Sequence, residues 1–226
     1  INSIQDVGMT FNRCLYESDL TEKTLEQADF ISDTLVSTLL EDLSSVQAIK
    51  GLASHDYYTY YHSVRVATYA TAVAITLGKS EHSELKEIAL GGLLHDIGKK
   101  DISMSVINKA GALTEEEWRL MKSHPEIGRD LVKDAGISQV SNDIILSHHE
   151  KLDGSGYPHG LMGSELSTEV QISTMADIFD ALTSSRSYQN ERTRFEALKL
   201  MKDKMVGDKL DLEIFNSLVN CFKENP

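Results

Sequence analysis

The chain has 226 residues and few of the kinds that interrupt or cross-link a fold. Proline occurs three times, as Pro125, Pro158 and Pro226, so long stretches carry no helix breaker. The two cysteines, Cys14 and Cys221, lie far apart and outside any C-x-x-C pattern. They offer no disulfide framework, and a reduced, cytoplasmic compartment is the expectation. No apolar run reaches the roughly 18 residues of a membrane-spanning helix, and no signal-peptide pattern is apparent. Basic residues are outnumbered, with 22 Lys and Arg against 35 Asp and Glu and a net charge of -13. That balance excludes a broad surface for polymeric nucleic acid. It does not exclude a small anionic substrate, because bound cations invert the local field. The chain opens on Ile1 rather than Met, as an excised piece of a longer protein would.

Helical periodicity fills the prolineless stretches. Thr21–Lys50 reads as one or two helices with Leu25, Ala28, Leu35, Leu39 and Leu43 as an apolar stripe. Thr59–Leu77 and Ser83–Ile97 follow, the second with Leu85, Ile88, Ala89, Gly92 and Leu93 at i, i+3, i+4, i+7, i+8. Thr114 with Glu117 fits a capping box, and Pro125 opens the next helix at the first-turn position that proline favours. Ser141–Glu150, Thr168–Ser184, Arg194–Met205 and Leu210–Phe222 complete the set. Alternating strand patterns are absent, so the fold class is all-α. Residues 1–52 hold no ligand candidates and are expected as a separate N-terminal helical segment, with the functional domain at 53–226. One segment breaks the pattern: Asp153–Gly163 holds four glycines and Pro158, a loop of the kind that often carries function.

Against this helical background stand seven candidate metal ligands, two pairs of them adjacent. His95-Asp96 ends an amphipathic face, with Gly91 and Gly92 one turn earlier leaving room for a neighbouring helix or an ion. His148-His149 continues the apolar face of Ile144 and Ile145. Two buried histidines both need partners, and a metal supplies one to each. Adjacent helical residues diverge in direction, however, so a shared ion does not follow from the spacing. Asp177 lies in a nearly all-apolar helix within the stripe Ser173, Asp177, Asp180, Ser184. The stripe faces either solvent or a partner for its acids. His124 precedes Pro125, which pushes it out of the helical region and frees its side chain for a cleft. His62 shares a face with Arg65 and Tyr58.

Taken together, these residues resemble the HD-GYP family, a branch of the HD metal-dependent phosphohydrolases. The matching stretches are His62-Ser63-Val64-Arg65, His95-Asp96-Ile97-Gly98-Lys99, His124-Pro125-Glu126-Ile127-Gly128, and His148-His149-Glu150 running into Asp153-Gly154-Ser155-Gly156-Tyr157-Pro158. Gly160-Leu161, Gly163, Asp177-Ile178-Phe179-Asp180-Ala181-Leu182, Arg186 and Tyr188 follow in the family's order and spacing.

The resemblance implies an HD-type helical bundle that hydrolyses a cyclic dinucleotide, cyclic di-GMP or 3′,3′-cyclic GMP-AMP, to the linear dinucleotide. Carried over, His62, His95, Asp96 and Asp177 hold one divalent ion. Asp96 bridges to a second, held by His124, His148 and His149. Imidazole and carboxylate ligands suit Fe, Mn, Ni or Zn. The expected nucleophile is a hydroxide between the ions beside Asp96, with Lys99 neutralising the phosphoryl oxygens. Asp153, Gly156, Tyr157, Pro158, Asp180 and Arg186 fall on the substrate side. The Gly-Tyr-Pro loop is also where a GGDEF-type partner domain would dock, and the N-terminal helices would serve a homodimer. The chain departs from the pattern twice. Tyr58 stands where some members place a third-metal glutamate, so two ions are expected. Gln189 stands where a basic residue is common, and Arg192 or Arg194 is the expected substitute. A catalytically weak receptor is the alternative.

Overall fold

The computed structural model describes residues 21–52, 58–109, 111–184 and 192–223. The order is α1 (Glu22–Glu41), a 3₁₀ helix (Leu43–Leu52), α2 (Tyr58–Thr76), α3 (His82–Leu94), a 3₁₀ turn (Ile97–Asp101) and α4 (Met104–Ile107). Then come α5 (Glu115–Lys122), α6 (His124–Val132), α7 (Gln139–Ser147), α8 (Thr168–Thr183), α9 (Arg194–Lys204) and α10 (Leu212–Asn220). Among the described residues there is no strand, only the isolated bridges Asp153 with Met162 and Val206 with Leu210. The expected all-α class is the observed one.

Local chemistry starts the helices where the pattern places them. The Thr114 hydroxyl accepts the Glu117 amide at 3.2 Å, and the Glu117 carboxylate accepts the Thr114 amide at 2.6 Å, so the capping box forms. Thr193 forms the same box with Glu196 at α9, and the Ser138, Ser167 and Asp211 side chains cap α7, α8 and α10 by accepting first-turn amides.

α3 lies at the centre, packed against α1, α2, α7 and α8. Its glycines serve helix packing rather than an ion. A Cβ on Gly92 would sit 2.9 Å from the Ala67 Cα of α2, and one on Gly91 would sit 2.8 Å from the Ile144 side chain of α7. One core joins Val66, Tyr69 and Val73 of α2 to Met175 and Phe179 of α8, Met201 of α9 and Leu218 of α10. A second joins Ala28, Ile31 and Leu35 of α1 to Val64, Leu93, Leu94, Val132 and Ile145. α1 is thus built into the same body as the helices that follow it. α5 is the exception: it buries none of its residues and leaves Trp118 and Leu120 exposed.

Two helices stop three residues short of the periodicity, and both ends matter to the site. α3 stops at Leu94 rather than Ile97, which puts His95 at its C-cap and Asp96 at φ -97, ψ 8. That bridge region is sparsely populated and holds many active-site residues. α7 stops at Ser147 rather than Glu150, so His148 is its C-cap and His149 lies in the following turn. His124 also departs from expectation, because it is the first residue of α6 rather than outside it.

Candidate metal centre

The seven ligand candidates come from five helices or helix ends and meet in two groups. Asp96, His124, His148 and His149 each offer a ligand atom within 4.8 Å of the others, and His62, His95 and Asp177 do the same. Asp96 lies at the junction. Its Oδ1 faces His124 Nε2 at 3.3 Å and His148 Nε2 at 3.8 Å. Its Oδ2 faces His95 Nε2 at 3.3 Å, His62 Nε2 at 3.6 Å and the Lys99 ammonium at 2.6 Å. The end of α7 settles how the paired histidines relate. Freed from the helix, the rings of His148 and His149 lie 4.1 Å apart and face the same cluster.

The turn N-terminal to each ligand sets its tautomer. His95, His124 and His148 each donate Nδ1–H to the carbonyl three residues back, Gly92, Met121 and Ile145, at 2.7, 2.7 and 3.0 Å. Each Nε2 is left as a lone pair aimed at the centre. His62 instead donates Nδ1–H to the Asp180 carboxylate at 2.7 Å.

These residues fit a divalent cation. His124 Nε2 and His148 Nε2 face each other at 3.2 Å. With both Nδ1 atoms spent on carbonyls, the two Nε2 atoms meet with no other partner between them, an arrangement that a shared cation satisfies. His95 Nε2 and Asp96 Oδ1 are buried without a hydrogen-bond partner, and such orphans are rare outside functional sites.

The electrostatics agree. Burial opposes ionisation of Asp96, but Lys99, His95 and His124 outweigh it and hold the carboxyl well below its usual range. Asp177, also buried, is held far down against that burial, chiefly by the hydrogen bond and charge of His62. Burial, with its histidine neighbours, holds His148 well below the usual imidazole range. Burial pushes His149 down to about 3 against the pull of Asp177. These rings are therefore neutral donors at pH 7. His62 goes the other way: burial would lower it, but Asp177 and Asp180 raise it to about 9.

Other expected site residues are placed differently. Asp180 is not on the substrate side. It is fully buried behind His62, where its two oxygens accept Arg65 Nε at 2.5 Å and Nη2 at 3.0 Å. An acid in an apolar helix needs such partners; Arg65, one turn along α2 from His62, supplies them. Asp153 is exposed and spends Oδ1 on the Ser155 amide and hydroxyl at 3.0 and 2.6 Å, forming the turn that starts the loop. Arg194 is no substitute phosphate contact, because its guanidinium bonds the Gln47 carbonyl at 3.2 Å and packs over Phe222. Arg186, Tyr188 and Gln189 lie outside the described residues, as does the side chain of Tyr58. Gly156 and Tyr157 border the second ligand group, with Pro158 next in the same loop. The Tyr157 ring lies 4.6 Å from that of His149 and 6.4 Å from that of His124.

Residues 46–214 match the HD domain. The chain belongs to the HD domain family. A cyclic di-GMP phosphodiesterase of Pseudomonas aeruginosa is 32% identical over 199 residues, 88% of this chain and 47% of that protein. A 3′3′-cGAMP-specific phosphodiesterase of Vibrio cholerae is 37% identical over 161 residues, 71% of this chain and 35% of that one. The HD chain thus spans less than half the length of either relative. A solved HDG"Y"P protein from Bdellovibrio bacteriovorus shares the fold, with a TM-score of 0.79 at 23% identity over 96% of this chain and 69% of that one. The resemblance read from the motifs is borne out. No helix among the described residues is long and apolar enough to cross a membrane.

Proposed function

We propose that this HD domain is a metal-dependent phosphodiesterase that opens a cyclic dinucleotide, cyclic di-GMP or 3′,3′-cyclic GMP-AMP, to its linear form. The observation that carries the reading is Asp96, whose two oxygens face the two ligand groups. On this reading His62, His95, Asp177 and Asp96 hold one divalent ion of the Fe, Mn, Ni or Zn kind. Asp96, His124, His148 and His149 hold a second. Bound there, such ions supply Lewis acidity and neutralise charge on a phosphodiester.

The chain's own groups do the rest. Lys99, near one Asp96 oxygen, keeps that carboxylate ionised and presents an ammonium to the phosphoryl oxygens. Tyr157 walls the second group on the loop side and limits access of water to His149. In the net reaction a water oxygen adds in line to phosphorus, the P–O3′ bond breaks, and the leaving oxygen gains a proton. Arg186 is proposed as a further phosphate contact.

Two extensions belong to the same reading. The loop's outer edge, with Ser155, His159 and Met162 exposed, suits a docking GGDEF-type domain. The N-terminal part, residues 1–52, is proposed to support a homodimer; its described helix α1 packs into the same body as the phosphodiesterase unit expected at 53–226.

The test is anaerobic. The chain is loaded with Fe(II), Mn(II), Ni(II) or Zn(II), bound metal is counted, and reactions with both cyclic dinucleotides are chromatographed beside an Asp96→Ala control. Linear product with two metals per chain, lost in the control, supports the enzyme. Metal-loaded protein that leaves every cyclic dinucleotide intact refutes it and favours a receptor.

A further inference from the structure

One buried charge near the centre belongs to neither ligand group. Glu150 directly follows the histidine pair and is 1% exposed. Its Oε1 accepts the amides of His159 at 2.7 Å and Gly160 at 3.0 Å, and its Oε2 accepts the amide of Leu161 at 3.1 Å. Three consecutive N–H groups thus converge on one carboxylate. Burying a carboxylate is costly unless it is paired or hydrogen-bonded, and charge-assisted bonds are the strong kind.

The loop is also drawn in from its other side. The Tyr157 amide donates to the His149 carbonyl at 3.3 Å. Gly156 passes so close that a Cβ there would lie 2.4 Å from Glu150 Cα, 2.6 Å from His149 O and 2.7 Å from Glu150 Oε2. The result is the Tyr157 ring resting on the His149 ring. His149 needs that support. It lacks the helical carbonyl that fixes His95, His124 and His148, and its closest charged partner is Asp177 Oδ2, 3.7 Å from Nδ1.

We propose that Glu150 is a positioning residue for the second ligand group: by gathering the amides of residues 159–161 it seats Tyr157 on His149 and so holds that ring in its ligating pose. The inference rests on the metal reading above. It implies that loop position and second-ion affinity move together, so that whatever displaces the loop from outside loosens one ion and leaves the other.

The test uses the full chain and Co(II), whose visible absorption reports ligand geometry. Glu150→Gln keeps the shape but turns an amide –NH₂ toward at least one backbone N–H. Gly156→Ala forces the same loop away from Glu150 and His149 by steric contact while keeping the Glu150 carboxylate in the chain. Both variants are expected to speed amide exchange across residues 159–161 in the metal-free protein. Both should weaken one of two Co(II) binding events about tenfold or more, changing that ion's absorption while the other event and the far-UV dichroism stay as in the wild type. Glu165→Ala, which removes a cap on the Met162 amide at 2.9 Å on the loop's exposed side, is expected to alter neither affinity. Faster exchange with both Co(II) affinities and spectra unchanged would overturn the inference, because the loop would then move without the ligand. If Glu150→Gln fails to fold, Gly156→Ala decides alone. A wild-type chain that binds no Co(II) would instead overturn the metal reading itself.

Discussion

Asp180→Asn exchanges one carboxylate oxygen for a nitrogen that carries two protons, in a pocket where every neighbour donates. Arg65 presents two N–H groups at 2.5 and 3.0 Å and His62 presents Nδ1–H at 2.7 Å. The carboxamide has one acceptor atom. If it faces Arg65 Nε, its –NH₂ meets both Arg65 Nη2 and the His62 Nδ1–H, and a His62 ring deprotonated for a metal relieves its clash by keeping its remaining proton on Nε2. That is the atom 3.2 Å from Asp177 and aimed at the first ligand group. If the amide turns the other way, the clash moves to Arg65 Nε. Carboxylate partners behind a ligating histidine are typically worth 10–100-fold in metal affinity, or about 1.4–2.7 kcal/mol. Breaking a buried ion pair costs about 3–5 kcal/mol. The isosteric change belongs near the lower end, roughly 6–12 °C in Tm at about 2–4 °C per kcal/mol for a chain of this length. Calorimetric metal titration and thermal unfolding read the two effects separately. One ion weakened with a lowered Tm is expected. A raised KM for the cyclic dinucleotide with metal binding intact would refute the reasoning and return Asp180 to the substrate.

The remaining predictions concern the same centre. In the metal-free protein His62 titrates near 9, above its ordinary 6.5. Its pairing therefore stabilises the fold fully below about pH 6.5 and is lost as pH rises through 9; urea midpoints that stay flat over that window would contradict it. Metal must displace that proton, so affinity at the first group should rise about tenfold per pH unit up to 9, which a pH series of titrations checks. Asp177→Asn should lose metal and activity while keeping helical dichroism; unfolding would make the metal site structural as well. Lys99→Ala should lower turnover with metal content near normal, and loss of metal would overturn its assigned role. Gly98→Ala would place a Cβ 2.0 Å from the His124 carbonyl and 2.5 Å from the Gly128 amide. It should cost at least the roughly 1–3 kcal/mol of overpacking, measured as a shift in urea midpoint.

Most of the fold was legible because apolar spacing is local: helices such as α2 and α8 begin and end within a residue or so of their periodic stretches. The ends of α3 and α7 were not. Apolar periodicity runs up to His95 and His148, and nothing in the spacing marks where the backbone leaves the helix. Those two ends let the adjacent ligand pairs converge. Motif order identified the ligand candidates and set Asp177 apart from Asp180, but it sent Asp180 to the substrate side. Both are acids on one helical face, and only the third dimension shows that one turns to the cluster and the other to Arg65. Glu150 stood in plain view between the histidine pair and the glycine-rich loop. Its role depends on amides nine to eleven residues on, a closure that no local pattern specifies.

The weakly packed α5 holds Trp118, the only tryptophan in the chain. The last turn of this helix also supplies the Met121 carbonyl that orients His124. An indole about half in solvent is thus tethered through a few bonds to the second ligand group. Intrinsic fluorescence is then expected to change as that group fills, with no label and no substrate, and stopped-flow mixing would time the arrival of an ion.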